Sequence, residues 1–243
     1  MALRSFLEGT LFAEVYGDGP PEVLALHGWA RRGNDFARVF DGVSGIAPDL
    51  PGFGASPEPG EVIGAESYAD ILAGILDKFD RPPVLVGHSF GGRVAVCLAA
   101  KYPDSVGPLV LTGVPLIRLE TGRRPPVGYR AARWLNKVGV VSDDRLERQK
   151  KKRGSADYRA ANGLMRDILV KVVNESYEGQ LSRIEQPVRL VWGANDRDVP
   201  VSVAEAASAL LSDSTLEVLP GVGHFVPLEA PEVLRSAVES ALR

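Results

Sequence analysis

The stretch Pro82-Pro83-Val84-Leu85-Val86-Gly87-His88-Ser89-Phe90-Gly91-Gly92 leaves a chain few options. Two prolines break whatever precedes them, and the apolar run Val84–Val86 then reads as a short buried strand. Val94-Ala95-Val96-Cys97-Leu98-Ala99-Ala100 is apolar and mostly small, as in a helix packed under a sheet. Between them, Gly87-His88-Ser89-Phe90-Gly91 fits G-x-S-x-G. A strand that turns straight into a helix at such a serine strains the backbone there and exposes the hydroxyl. Gly87 and Gly91 keep Cβ atoms out of a close strand–helix crossing. The helix N-terminus behind Ser89 offers N–H groups and a positive dipole end to developing negative charge. In a chain with 26 glycines the five residues alone also fit an ordinary strand–helix connection, so their partners decide.

The rest of the chain repeats the alternation. Apolar strands are predicted at Leu3–Leu7, Leu11–Tyr16, Val23–His27, Val43–Ala47, Pro108–Thr112, Pro187–Trp192 and Leu216–Leu219. Helices are predicted over Asp35–Phe40 with Asn34 as cap, Ser67–Phe79, Val203–Leu211 and Glu229–Leu242. Strands alternating with helices mean an α/β protein with a mainly parallel sheet covered on both faces. The stretch 114–183 breaks this rhythm, with helix-like segments and no clear strand. It holds sixteen Lys/Arg against eight Asp/Glu, a net +8, while the remainder holds twelve against twenty-three, a net −11, which together give the chain's −3. Such a shift between two strands of one sheet marks an insertion. The expected domains are therefore a core of residues 1–113 and 184–243 and an inserted basic helical segment, 114–183.

At 243 residues and net charge −3, nothing global points to nucleic acid. The apolar runs are far short of a bilayer span, and Met1–Glu8 lacks signal-peptide organisation, so no membrane role and a cytoplasmic location are expected. Cys97 is the only cysteine, which excludes an intrachain disulfide, and with three histidines it offers no cluster at metal-ligand spacing. No metal and no cofactor are expected.

A serine nucleophile needs a base, and the base an orienting acid. Open sheets gather active groups at the carboxyl ends of strands. After Val188–Trp192 comes Gly193-Ala194-Asn195-Asp196-Arg197-Asp198, and after Leu216–Leu219 comes Pro220-Gly221-Val222-Gly223-His224-Phe225. The order Ser89, Asp196, His224 thus places nucleophile, acid and base on three separate loops. Asp198 competes with Asp196 as the acid. His88 reads as a buried histidine behind the turn, since adjacent strand residues point to opposite faces. His27 reads as structural, and Asp49 as a brace for its glycine-rich turn.

With these stretches, joined by His27-Gly28-Trp29 and Asp49-Leu50-Pro51-Gly52-Phe53-Gly54-Ala55-Ser56, the chain resembles the α/β-hydrolase superfamily over essentially its whole length. The resemblance implies an eight-stranded α/β-hydrolase fold with the 114–183 segment as its helical cap. It implies Ser89 as nucleophile, His224 as general base and then acid, and Asp196 as the group orienting His224. It places an oxyanion hole at the backbone N–H groups of Trp29 and Phe90. A serine at 89, where dehalogenases and epoxide hydrolases carry aspartate, implies an acyl-enzyme, hence a serine carboxylesterase acting on a small or medium acyl ester. Ser-Phe-Gly-Gly also suits a C–C bond (meta-cleavage product type) hydrolase. The His-Gly-Trp loop resembles that of a carrier-protein methyl ester esterase, and relatives on this fold include non-catalytic ligand receptors. Arg118, Arg123, Arg124, Arg130, Arg133, Lys137, Arg145, Arg148 and Lys150–Arg153 make an acyl carrier protein or acyl-CoA a candidate partner, or else form a solvated face. Tyr129, Trp134, Leu135, Val138, Tyr158, Leu164, Met165 and Ile168 are candidate pocket lining or plain cap core.

Overall fold

A computed structural model describes residues 1–118 and 156–243. The basic residues from Arg123 to Arg153, together with Tyr129, Trp134, Leu135 and Val138, lie outside the described residues.

Eight strands form one sheet: β1 (Ala2–Phe6), β2 (Leu11–Tyr16), β3 (Val23–Leu26), β4 (Gly45–Asp49), β5 (Val84–His88), β6 (Leu109–Thr112), β7 (Val188–Gly193) and β8 (Ser214–Leu219). Their spatial order is β1-β2-β4-β3-β5-β6-β7-β8. β1 and β2 enter antiparallel, and from β4 to β8 every pairing is parallel. This is the α/β-hydrolase fold, mostly parallel and flanked by helices.

Strand alternation supplies both cores. Leu24, Leu26, Leu85, Leu109 and Leu111 face one side, where α1 (Ala65–Ala73) and α2 (Phe90–Lys101) pack. Val23, Ala25, Val84, Val86 and Val110 face the other side, against Phe36, Val39 and the C-terminal helix. Between β6 and β7 the described chain is helical: α3 (Ala156–Ala160), α4 (Gly163–Val172) and α5 (Glu178–Leu181). Helix α4 buries Met165, Ile168, Leu169 and Val172 on the α1/α2 side. The remaining helices are α6 (Val201–Ser208), α7 (Val226–Glu229) and α8 (Pro231–Ala241).

Local chemistry moved three helix boundaries. The expected helix over Asp35–Phe40 is a short 3-10 turn, Gly33–Phe36, with no side-chain cap from Asn34. The helix expected over Ser67–Phe79 ends at Ala73, just before Gly74, and resumes as a 3-10 turn at Leu76–Lys78. The expected Glu229–Leu242 helix divides at Ala230, which sits before Pro231 in a non-helical conformation (φ −142°). Among the described residues no helix is long and apolar enough to cross a membrane.

Candidate functional site

Ser89 leaves the end of β5 with φ 50° and ψ −113°, a conformation that costs a non-glycine residue roughly 1–3 kcal/mol. Its surroundings hold it there. The Ser89 N–H donates to the Thr112 carbonyl at 3.0 Å, and its carbonyl accepts from Gly92 at 3.1 Å as α2 begins. There is no room for side chains around this turn. A Cβ on Gly87 would lie 2.5 Å from Gly92 Cα, and one on Gly91 would lie 2.2 Å from the Leu26 carbonyl oxygen. Gly91 therefore clears the neighbouring strand, β3, while the crossing of β5 with its own helix is Gly87 on Gly92.

The end of β3 continues into the His27–Arg31 loop. His27 is fully buried, and burial pulls its pKa down to about 4. As a neutral ring it donates from Nδ1 to the Gly28 carbonyl at 2.7 Å and accepts at Nε2 from the Leu50 N–H at 2.9 Å. It thus ties this loop to the one after β4. Asp49 braces both from below, accepting from Gly33 N–H at 2.9 Å and Ala55 N–H at 2.8 Å. Ala30 takes a positive φ of 55°, which turns the loop beside the elbow. The N–H groups of Trp29 and Phe90 donate to no turn or loop carbonyl among the described residues, and the first N–H of a helix has no acceptor within it.

The loops after β7 and β8 lean on each other. A Cβ on Gly193 would meet the Gly223 carbonyl at 2.1 Å, and Asn195 N–H donates to the Val222 carbonyl at 2.9 Å. Buried Asp196 accepts from Asp198 and Val199 N–H through Oδ1 at 2.9 and 2.8 Å. That leaves Oδ2 for His224 Nδ1 at 2.8 Å. Of the two candidate acids, it is Asp196 that bonds His224. The fully buried Trp192 closes the acid loop, its indole N–H donating to the Val199 carbonyl at 2.8 Å. Asp196, Asp198 and His224 offer ligand-type atoms within 4.8 Å, a group the sequence did not suggest, but Nδ1 and both Asp196 oxygens are engaged in these bonds.

Two braces were missed at the sequence level. Glu229 receives Gly223 N–H at 2.7 Å and Phe225 N–H at 3.0 Å, fixing the chain on either side of His224. The Glu229 spacing of four and six residues from those N–H groups matches no short capping pattern, so no sequence signal marked it. His88 is buried, but it lies on the cavity side, because the elbow ends the alternation of the strand. Burial pulls its pKa down to about 3, so the ring is neutral, and its Nε2–H donates to the His224 carbonyl at 3.0 Å.

These loops enclose a cavity of about 600 Å³ at the carboxyl ends of the strands. Ser89, His224, His88, Trp29, Phe90, Arg31, Arg93, Asp157 and Asp198 line it, with Leu169, Val172 and Val173 from the β6–β7 segment. Of the expected lining from that segment, Tyr158, Leu164, Met165 and Ile168 pack into the core instead. The Ser89 hydroxyl and His224 share the cavity without a direct hydrogen bond, a contact that commonly closes only in a substrate complex.

Comparison with known proteins agrees with this architecture. The model of the alpha/beta hydrolase family matches residues 23–237. The chain is 32% identical over 240 residues to a pimeloyl-[acyl-carrier protein] methyl ester esterase of Chromobacterium violaceum, covering 88% of this chain and 91% of that one. It is 29% identical over 235 residues to a 2-hydroxy-6-oxo-2,4-heptadienoate hydrolase of Pseudomonas putida, covering 88% and 82%. Among solved structures, a serine hydrolase involved in carbazole degradation superposes with a TM-score of 0.74 at 22% identity, covering 99% of this chain and 98% of that one.

Proposed function

Because the chain belongs to the alpha/beta hydrolase family, whose members it resembles are hydrolases, we propose that it is a serine carboxylesterase acting on a small or medium acyl ester. One observation carries the reading. A strained serine at a strand–helix elbow opens on the same cavity as a histidine already bonded to a buried carboxylate.

In this reading Ser89 Oγ attacks the ester carbonyl while His224 Nε2 takes the hydroxyl proton. Asp196 holds Nδ1–H and stabilises the imidazolium. The tetrahedral oxyanion lies on the N–H groups of Trp29 and Phe90. Collapse expels the alcohol, which takes its proton from His224 and leaves the acyl group on Ser89. Water then attacks the acyl-enzyme, giving its proton to His224, and the second collapse returns that proton to Ser89 and frees the acid. Residues 114–183 act as the cap over the cavity. The test is hydrolysis of p-nitrophenyl esters from acetate to decanoate. Ser89→Ala is expected to cut kcat by roughly 10⁴-fold or more. Turnover that survives in that variant would sink the assignment.

A second reading has the ester carried on an acyl carrier protein. The net +8 of residues 114–183 against the acidic remainder supports it, as does likeness to the methyl ester esterase. Changing Lys150, Lys151 and Lys152 to Glu should then slow turnover of a carrier-linked ester at low salt while sparing p-nitrophenyl esters. Equal rates on the carrier-linked ester would reject it.

A further inference from the structure

One charged group in the cavity has no use in this chemistry. Arg93 lies one helical turn beyond Ser89 on α2, its N–H facing the Ser89 carbonyl at 3.4 Å. The side chain lines the cavity beside Ser89 and is only 7% exposed. Its Nη1 donates to the Val172 carbonyl, and the guanidinium sits 5.8 Å from the centre of the Tyr177 ring. Its Nε is buried and makes no hydrogen bond among the described residues. No carboxylate of the described residues pairs with it. The nearest acid, Glu175, stabilises the guanidinium only at a distance: its Oε2 accepts from the Tyr177 hydroxyl at 2.8 Å and from Ala65 N–H at 3.1 Å, and Tyr177 is the side chain against Arg93.

The other charges of the wall give the cavity two unlike ends. Arg31 is held bidentately by Asp35 at 2.6 and 2.8 Å. Asp198 lies in the group with His224, and Asp157 sits close enough to both to feel their charge. The His224 end is therefore acidic, and the end where α4 meets α2 holds a buried cation with no carboxylate of the described residues in direct ion-pair contact, Glu175 acting on it only from beyond Tyr177. A buried charge without a direct counter-ion is expensive, and a guanidinium fork matches a carboxylate.

We propose that Arg93 is a specificity residue that binds a carboxylate carried on the acyl part of the substrate, so that the preferred ester is the monoester of a dicarboxylic acid. The acidic end disfavours the reverse orientation, leaving the alcohol portion near Asp157 and Asp198. This rests on the esterase reading for the reaction but not for the binding. It also differs from a purely structural role, in which Arg93 only ties α4 to α2 through Val172.

The experiment compares monomethyl glutarate, adipate and suberate with the methyl esters of the matching monoamides, which keep the size and remove the charge. Binding is measured by calorimetry on Ser89→Ala, and turnover on the native protein by product release. The carboxylate should bind about tenfold tighter than the amide, or more. Arg93→Gln on the Ser89→Ala background should erase that ratio, and Arg93→Lys, which keeps charge but not the fork, should retain part of it. Equal binding of carboxylate and amide by Ser89→Ala overturns the proposal, whatever the Arg93 variants do. An unchanged ratio in Arg93→Gln with native circular dichroism also overturns it. Preferential binding without turnover of any ester would instead remove the esterase reading and leave this one standing. Turnover with no charge preference would do the opposite.

Discussion

The two sides of the cavity are built by different means. The side of β3 and β5 is crowded: a Cβ on Gly87 or Gly91 would strike backbone, and one on Gly28 or Gly92 would strike the side chains of His88 or Val114. On the side of β7 and β8, one such contact, Gly193 on the Gly223 carbonyl, is joined by polar side chains, with Asp196, Trp192 and Glu229 each spanning a loop through main-chain groups. The first construction fixes a strained serine by leaving it nowhere else to go. The second fixes an imidazole by satisfying the hydrogen bonds around it. Crowding should fail through stability, and the polar side through orientation of the ring.

The largest expected effect is on the polar side. Asp196→Asn keeps the shape of the acid loop but removes the acceptor that sets the His224 tautomer, and should lower kcat/KM on a good ester by roughly 10³–10⁴-fold. Asp198→Asn should cost less than about tenfold, since Asp198 gives Asp196 only a main-chain N–H. Melting temperatures should barely move in either variant. A large loss of stability in Asp196→Asn, with activity per folded molecule preserved, would break the division drawn above.

The crowded side should behave in the opposite sense. A Cβ on Gly91 would lie 2.2 Å from the Leu26 carbonyl oxygen and 2.6 Å from that of His27. Neither strand end can yield without disturbing the sheet, so Gly91→Ala should destabilise by about 3 kcal/mol. For a chain of this length that lowers Tm by roughly 6–12 °C. Glu229→Ala, on the exposed polar side, should cost only about 1 kcal/mol. Thermal unfolding of the two variants side by side checks the contrast, and a Gly91→Ala protein as stable as Glu229→Ala would refute it.

The same contrast explains what was legible in the sequence. Crowding selects glycine at fixed offsets, so Gly87-His88-Ser89-Phe90-Gly91 announces its turn, and runs such as Val84–Val86 announce the strands. All eight strands were found within a few residues, the central ones because burial on both faces makes them continuous apolar runs. Polar bracing selects only a residue that can reach. Glu229 sits four and six residues beyond the N–H groups it accepts, and nothing in its immediate sequence separates it from any surface acid. Arg93 is similar: its burial and its Nε without a hydrogen-bond partner among the described residues are properties of the packed cavity, invisible in a run that reads as helix core. The helix ends were displaced where a single glycine or proline outweighed periodicity, at Gly74 and Pro231.

His88 belongs to both constructions, ending β5 and donating to the His224 carbonyl, so its behaviour sharpens the comparison further. Burial pulls His88 down to about 3 and His27 to about 4, against an ordinary value near 6.5. Below pH 6.5 the unfolded chain takes up protons that both folded rings refuse, so unfolding is favoured as pH falls towards 4 and then 3. At pH 5.5 each ring should cost about 1.3 kcal/mol relative to pH 7. His88→Gln removes one of the two titrations while keeping an N–H of similar reach for the His224 carbonyl. Urea midpoints at pH 7 and pH 5.5 should therefore differ by about half as much in the variant as in the native chain. If the acid sensitivity is unchanged, His88 is not held neutral by its burial, and the bond from its ring to the His224 loop cannot be assigned to a fixed tautomer. If the sensitivity halves and turnover survives, the donor matters and the imidazole does not, which is what a brace shared between a crowded strand end and a polar loop requires.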